Sequence, residues 1–407
     1  MPVQVVRPKG RSNLLVDAHP TGCERSVEEM ADEAHATGPR DKIGRVALVI
    51  GSSAGYGLAT MVAGIVGYGI SGIGLGYERP ATASRTASAG WYRTRAVARL
   101  AQDRNLDLGF LNGDCFLPET KRRVLDEVKT RYRRVDYLIY SVAAPIRTDP
   151  VTGISYRSVV KPLGQPYATK SLSFGDDGRP AVGQVEVPPA TEAEQLATVK
   201  VMGGEDWAAW VEALASEGLL ADGFQTVALS YVGSELTAPI YRQGTIGRAK
   251  DHLEQTARTL EDGVLRGRRG TATTSVNGAA VTQASMAIPG ISLYLSLLRS
   301  VLGDAMWSPV RQSLRLWDHL TGRESLPRDG SGRLRLDGWE LEPAVQARVR
   351  ERWDAADAAD PYAMPLDAAA WFHEQFLRLY GFGVTSVDYE APVEIELAWP
   401  ERPRGLQ

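Results

Sequence analysis

The stretch that most constrains this chain is residues 44–61. An apolar run rich in β-branched residues, Val46 to Ile50, passes directly into Gly51, Ser52, Ser53, Ala54, Gly55, Tyr56 and Gly57. A short, continuous apolar run of this kind fits a strand buried on both faces of a parallel sheet. The residues after the glycines read as a helix, so strand, tight turn and helix follow one another closely. Such a turn lets the backbone approach a pyrophosphate, while the unpaired N–H groups at the helix start face its negative charge. The spacing is Gly-x-x-x-Gly-x-Gly, not the more usual Gly-x-Gly-x-x-Gly. Taken alone, it also fits a helix cap with close helix-on-sheet contact.

The next apolar run, 69–77, ends at Tyr77 and is followed by Glu78. A carboxylate about 20 residues beyond the last glycine suits the adenosine ribose hydroxyls of a dinucleotide. Its charge would repel a 2′-phosphate, which favours NADH over NADPH. Glu78-Arg79-Pro80 also fits an ordinary solvated turn.

At 407 residues the chain exceeds the usual size of one compact domain, but it suits one large α/β unit with insertions. A hydrophobic content of 43% supplies a core, and a formal charge of −3 gives no general pull toward nucleic acid. The basic stretches at 131–134 and 266–269 are brief and read as solvated faces. Cys23 and Cys115 are the only cysteines, too few for a disulfide framework or a thiolate metal site. The N-terminus lacks a signal-peptide pattern, and no segment offers about 18 uninterrupted apolar residues. A soluble, cytoplasmic protein without an integral membrane segment is therefore expected.

Taken in order, residues 16–24 read as a polar turn containing His19 and Cys23, packing beneath the sheet, with a helix over 26–36. No further ligands accompany this pair, so no metal site is expected. After Glu78 come a helix over 89–101 and a strand over 106–111 ending at Asn112-Gly113-Asp114. Asp114 suits either the adenine amino group or a turn cap. A helix over 119–132 leads to a strand over 135–141 that ends in the small residues Val142, Ala143 and Ala144, leaving room for a nicotinamide ribose. Three βα units in series predict a doubly wound, mostly parallel, Rossmann-like α/β sheet with helices on both faces.

Residues 146–200 break this rhythm, within an inserted elaboration spanning 146–225. Turn signals at 147–150, 164–166 and 175–178 and alternation over 181–187 predict a hairpin-bearing elaboration over the substrate cleft. Helices follow over 192–202 and 205–217, with Trp207, Trp210 and Leu214 on one packing face. Strands are expected over 226–231 and 273–277. The hydrophobic segment 288–301 reads as a buried helix or tunnel wall, within an additional helical region spanning 286–380. Residues 337–340 precede one helix, 367–380 form another, and 384–397 read as a strand-like tail. His373 and Glu374 are adjacent on a helix and do not face one ligand. Residues 1–407 thus read as a single enlarged catalytic domain.

The reactive candidates are Tyr241 and Lys250, with eight residues between them. In an unbroken helix they would lie on opposite faces, so a shared site requires the nonhelical turn that Gly244 permits. A lysine there can hold a nicotinamide ribose and add positive potential, while a phenol donates a hydrogen bond or proton to a developing oxyanion. Tyr231, at the end of a predicted strand, is a second candidate to face the same oxygen.

Several motifs in order carry a specific resemblance. The run 51–59, Ala89-Gly90-Trp91-Tyr92, Asn112-Gly113-Asp114, the stretch 199–207 with Met202-Gly203-Gly204, and Tyr231 through Lys250 resemble the NADH-dependent trans-2-enoyl-CoA/enoyl-ACP reductase family. Residues 18–24 and 382–390 match its pattern as well, so the likeness covers nearly the whole chain. That family is an enlarged relative of the short-chain dehydrogenases, with a tyrosine-x8-lysine arrangement.

The resemblance implies reduction of the C2=C3 double bond of a trans-2-enoyl thioester, carried by coenzyme A or acyl carrier protein, in fatty acid biosynthesis. It implies Tyr241 as the oxygen-polarising or proton-donating residue, Lys250 as a ligand of NADH and Tyr231 as a substrate contact. Gly51, Ser52, Ser53, Ala54, Gly55, Tyr56, Tyr77, Glu78, Asp114, Cys115, Val142, Ala143, Ala280, Val281 and Thr282 carry over as NADH contacts. Monomeric assembly is implied too. Departures at Gly74 to Tyr77, Cys115, 142–144 and Ala280 bear on which acyl chain fits. The competing readings are an NADH-dependent keto or hydroxyacyl reductase and a non-catalytic dinucleotide-binding regulator. Arg147 and Arg248 are candidates for phosphate contact or plain surface residues.

Overall fold

The apolar runs do assemble into one parallel sheet in the computed structural model, which describes residues 3–11, 14–38, 40–174, 179–356 and 366–400. Its strands are β1 (Val46–Ile50), β2 (Ser71–Gly76), β3 (Leu108–Asn112), β4 (Val135–Tyr140), β5 (Leu220–Tyr231), β6 (Thr271–Asn277) and β7 (Leu334–Arg335). Their order is β3-β2-β1-β4-β5-β6-β7, with every neighbouring pair parallel. In the register at the centre, Val49 lies between Gly74 and Ile139. This is the doubly wound α/β arrangement that the sequence predicts.

The helices are α1 (Pro20–Ala36), α2 (Gly55–Ala63), α3 (Ala89–Asp103), α4 (Pro118–Arg131), α5 (Glu192–Met202), α6 (Glu205–Ser216), α7 (Thr245–Asp262), α8 (Ile291–Leu302), α9 (Pro309–Leu320), α10 (Pro343–Ala355) and α11 (Leu366–Arg378). One face of the sheet packs against α1, α2, α3 and α9 around Leu58, Met61, Val97 and Trp317. The other packs against α4, α6 and α7 around Val124, Trp207, Trp210 and Leu253. Burial of both faces explains why the strands read as continuous apolar runs. None of the described helices is long and apolar enough to cross a membrane.

A third apolar cluster forms beyond the sheet. The antiparallel hairpin of Tyr167–Phe174 and Pro180–Val187 brings Leu172 and Val182 against α8, α10 and α11. Ser292 Oγ donates to Leu172 O at 2.9 Å and accepts from Leu172 N–H at 3.2 Å, tying the hairpin to α8. The turn expected at 175–178 lies outside the described residues.

Three local expectations are corrected. The polar turn at 16–24 is largely helix: α1 starts at Pro20, and His19 Nδ1 caps it by accepting from Gly22 N–H at 3.1 Å. Proline at the first helical position and glycine two residues later resemble a turn locally. Gly22 is instead required by contact, since a Cβ there would lie 1.7 Å from the carbonyl oxygen of Gly381. The fifth strand is longer than 226–231; it begins at Leu220 and absorbs a register irregularity between Leu220 and Gln225. The tail 384–397 is mostly not a strand. Only Val393–Glu394 pairs, antiparallel to Val3–Gln4. The tail is held by aromatic side chains: Trp91 Nε1 donates to Leu397 O at 2.7 Å and Tyr92 OH to Ile395 O at 2.8 Å.

Trp317 joins α9 to α2. It is fully buried, its ring packs against Gly64, and its Nε1 donates to Thr60 O at 2.8 Å. Trp317→Ala is expected to destabilise the protein by about 3–5 kcal/mol, from the cavity left and the lost partner of a buried carbonyl. Urea unfolding monitored by circular dichroism measures this; a loss under about 1 kcal/mol would show that this contact does not hold the layer.

Candidate active site

Parallel strands present all their carboxyl ends along one edge, and the direction of winding reverses between β1 and β4, which opens a crevice there. The turn after β1 is shaped by close backbone approaches. Gly51 has φ +86°, and a Cβ on it would lie 2.0 Å from Ser141 O; a Cβ on Gly57 would lie 2.0 Å from Gly51 O. The backbone N–H groups of Gly51 and Ser52 donate to Leu75 O at 2.8 and 3.0 Å. Ala54, at the N-cap of α2, supplies no capping acceptor, which leaves the helix start available to an external anion.

A cavity of about 1050 Å³ occupies this crevice and extends toward α8. Among the residues singled out from the sequence, Gly51, Ser53, Ala54, Gly55, Tyr56, Tyr77, Asp114, Cys115, Val142, Ala143, Tyr231, Tyr241, Lys250, Ala280 and Thr282 line it. Ser52, Glu78 and Val281 do not. Ser52 is buried against Gly74, and Val281 packs into the third cluster. Glu78 lies behind the wall, accepting from Ser53 Oγ at 2.6 Å and from Ser88 Oγ, with Gly90 so close that a Cβ there would lie 2.1 Å from Oε1. Asp114 lines the cavity and also caps its own turn, accepting from Phe116 N–H at 2.9 Å.

Tyr241 and Lys250 reach the same cavity because the chain between them is not one helix. Residues before Gly244 form successive turns, and α7 begins only at Thr245 with extended backbone at Gly244. Gly247 fits closely under this turn, since a Cβ there would lie 1.8 Å from Arg242 O. The Tyr231 and Tyr241 rings meet edge to face with centroids 5.1 Å apart. Burial pushes the Tyr241 phenol well above its ordinary range, so it stays protonated as a donor at neutral pH. Burial pulls the Lys250 ammonium down to about 8, although Glu254 favours its charge. Glu254 itself is paired with Arg242 and Arg333, each at 3.1 Å.

The loop after β6 closes the far wall. Tyr56 OH donates to Gly278 O, and Thr282 and Ser285 exchange hydrogen bonds, each backbone N–H donating to the other's hydroxyl at 2.9 and 3.0 Å. Ile288 and Ile291 line the cavity where α8 begins. The segment read as buried helix or tunnel wall is a buried helix whose start lines the cavity. Arg147 is committed inside the protein, to Lys200 O at 2.6 Å and Glu205 at 3.0 Å, whereas the exposed Arg248 lies 3.9 Å from Asp251.

Sequence reasoning missed one buried carboxylate. Glu340 receives Tyr231 OH at 3.0 Å and Tyr294 OH at 2.7 Å on Oε1, and the Ala279 N–H on Oε2. It stands 109 residues from Tyr231 in the chain, and nothing in Asp337-Gly338-Trp339-Glu340 marks it locally. Only the docking of residues 337–346 behind β5 and α8 brings it to the tyrosines.

Residues 85–320, more than half of the chain, match the family model described as the trans-2-enoyl-CoA reductase catalytic region. Residues 5–83 match the NAD(P)H binding domain of trans-2-enoyl-CoA reductase, and 328–393 a segment described as the enoyl reductase FAD binding domain. None of the described residues of 328–393 lines the cavity, and Leu334, Leu336, Glu340, Val345 and Val349 are buried in the protein's own packing. The chain is 56% identical to a Streptomyces avermitilis protein named enoyl-(acyl-carrier-protein) reductase (NADH), covering 97% of this chain and all of that one. It is 42% identical to a Flavobacterium johnsoniae protein of the same name, over 95% of this chain and 97% of the relative. Among solved structures, the Clostridium acetobutulicum trans-2-enoyl-CoA reductase in complex with NADH superposes with a TM-score of 0.90 at 33% identity, covering 96% of this chain and 98% of that one. The Treponema denticola enzyme in complex with NAD gives 0.87 at 35% identity, over 98% and 99%. This chain belongs to the trans-2-enoyl-CoA reductase family.

Proposed function

We propose that this chain reduces the C2=C3 double bond of trans-2-enoyl thioesters with NADH, acting on acyl chains under construction in fatty acid biosynthesis. The observation that carries this reading is the convergence of Tyr241 and Lys250 on one cavity with the glycine turn of β1, in a chain that matches its relatives over nearly its full length.

Bound NADH supplies a hydride, which C3 of the alkene receives. Charge then accumulates on the thioester oxygen as an enolate. The protonated Tyr241 hydroxyl meets that oxygen, with Tyr231 beside it, and Lys250 holds the nicotinamide ribose and adds positive potential. Protonation at C2 completes the saturated thioester. Ile288, Ile291 and Met202 supply apolar wall for the acyl chain. Glu78 holds the Ser53 hydroxyl from behind the wall, and its negative charge disfavours a 2′-phosphate on that side of the cavity. The carrier is coenzyme A or acyl carrier protein, consistent with the names of both sets of relatives. A cytoplasmic monomer is part of the same reading.

Tyr241→Phe is expected to lower kcat on a crotonyl thioester by about 10²-fold or more with little change in NADH affinity, because the lost donor acts on charge that develops in the reaction. Lys250→Met should weaken NADH binding itself. In the unaltered enzyme the Lys250 charge is present below about pH 8 and lost above it, so NADH affinity measured by nicotinamide fluorescence should fall as pH rises through that value. Unchanged turnover in Tyr241→Phe, or faster reduction of acetoacetyl than crotonyl thioester by the unaltered enzyme, would defeat the assignment.

The coenzyme preference rests on Glu78. NADH is expected to outperform NADPH in kcat/KM, and Glu78→Gln to narrow the gap by about tenfold by removing one like-charge repulsion. Equal use of both coenzymes by the unaltered protein would remove Glu78 from this role.

A further inference from the structure

None of the described residues of 328–393 lines the cavity, but this segment places Glu340 directly behind the tyrosines of the site. Its side chain is fully buried and takes three hydrogen bonds, from Tyr231, Tyr294 and the Ala279 N–H. The titratable and charged groups around it come from several elements: Tyr231 on β5, Tyr294 on α8, Tyr56 on α2, and Asp337 in its own loop, which is paired with Arg335 at 2.6 Å. Tyr241 acts on it only through Tyr231. Gln346 on α10 holds the Glu340 backbone carbonyl at 2.7 Å and the Tyr294 hydroxyl at 3.1 Å.

A phenol has one hydrogen to give. While Glu340 is a carboxylate, Oε1 takes the hydrogen of Tyr231, and the phenol can turn only lone pairs toward a thioester oxygen. When Glu340 is a neutral acid, its own hydrogen can be given to the Tyr231 oxygen, and the Tyr231 hydrogen is released toward the cavity that its ring lines. Tyr294 has an alternative acceptor in this state, the buried Ser234 hydroxyl beside it.

We propose that Glu340 is a positioning residue that sets the direction of the Tyr231 hydroxyl hydrogen, switching Tyr231 between donor to the thioester oxygen and donor to Glu340. The idea rests on the enoyl reductase reading given above. Burial pushes the Glu340 carboxyl up to about 7, despite the hydrogen bonds from Tyr294, Ala279 and Tyr231 that favour its charge. The switch therefore falls near neutral pH. The donor arrangement holds on the acid side. On the alkaline side a negative charge also sits behind the forming enolate.

The test is kcat against pH at saturating NADH and crotonyl thioester, for the unaltered enzyme, Glu340→Gln, Tyr231→Phe and the double variant. Saturation with NADH removes the Lys250 effect on coenzyme binding, and a step on the alkaline side that is common to all four enzymes belongs to Lys250, not to Glu340. The unaltered enzyme should fall about tenfold to a lower plateau as pH rises through neutrality, the worth of roughly one hydrogen bond to a charged acceptor. Glu340→Gln, whose amide donates and cannot ionise, should keep the upper plateau throughout. Tyr231→Phe should sit on the lower plateau at every pH and be unaffected by adding Glu340→Gln. A step near neutrality retained in Glu340→Gln or in Tyr231→Phe with the size it has in the unaltered enzyme, or a Glu340→Gln enzyme on the lower plateau at all pH with an unchanged melting temperature, would overturn the proposal. The infrared carboxyl band lost in Glu340→Gln gives a readout that needs no substrate, and it should disappear with rising pH near neutrality. Its absence from the acid-side spectrum would also overturn the proposal. Failure to reduce any enoyl thioester would instead refute the functional reading and leave this band as the separate measure of Glu340.

Discussion

The site depends on how closely two backbones pass at the carboxyl ends of β1 and β4. Gly51 leaves the strand with positive φ beneath Ser141 O, and Gly57 passes under Gly51 O at a separation that excludes any side chain. These contacts draw the first turn of α2 against the sheet at the point where strand order reverses. The helix start, with no capping side chain of its own, then faces the crevice. A dinucleotide pyrophosphate requires this combination of unobstructed backbone and unpaired N–H groups.

The reactive groups are placed around that crevice by interruptions of regular structure. The turns between Tyr241 and α7 allow a phenol and an ammonium nine positions apart to face one cavity, which a continuous helix would forbid. Burial then tunes both in useful directions: the phenol is kept protonated, and the lysine is brought to where its charge responds to mildly alkaline pH. Desolvation that penalises a buried charge here also strengthens any interaction with charge forming inside the cavity.

Residues beyond the nucleotide-binding units complete the chamber. The hairpin of Tyr167–Phe174 and Pro180–Val187, α8 and α10 share an apolar cluster beneath the end of the cavity lined by Ile288 and Ile291. From the same region, Glu340 reaches Tyr231 and Tyr294, and no ion pair to it occurs among the described residues. A buried carboxylate held only by neutral donors is a costly arrangement. Its position behind a cavity-lining phenol supplies a function for that cost.

The sequence by itself determined the sheet and its first landmarks. Period and composition identify Val46–Ile50, Ser71–Gly76 and Val135–Tyr140 because burial on both faces leaves no choice but apolar residues, and the glycine spacing after β1 reports a local backbone requirement. The positions of Tyr241, Lys250 and Gly244 showed that a shared site needed a break in the helix. Tertiary structure alone decided that Glu78 lies behind the wall, that Arg147 is spent on Glu205, that His19 caps a helix, and that the C-terminal tail is pinned by Trp91 and Tyr92 with little strand pairing. It alone brought Glu340 to Tyr231. Local sequence encodes periodicity and turn chemistry, which act over a few residues; the partner of a buried polar group is set by packing between segments a hundred or more residues apart, and no short-range pattern records it.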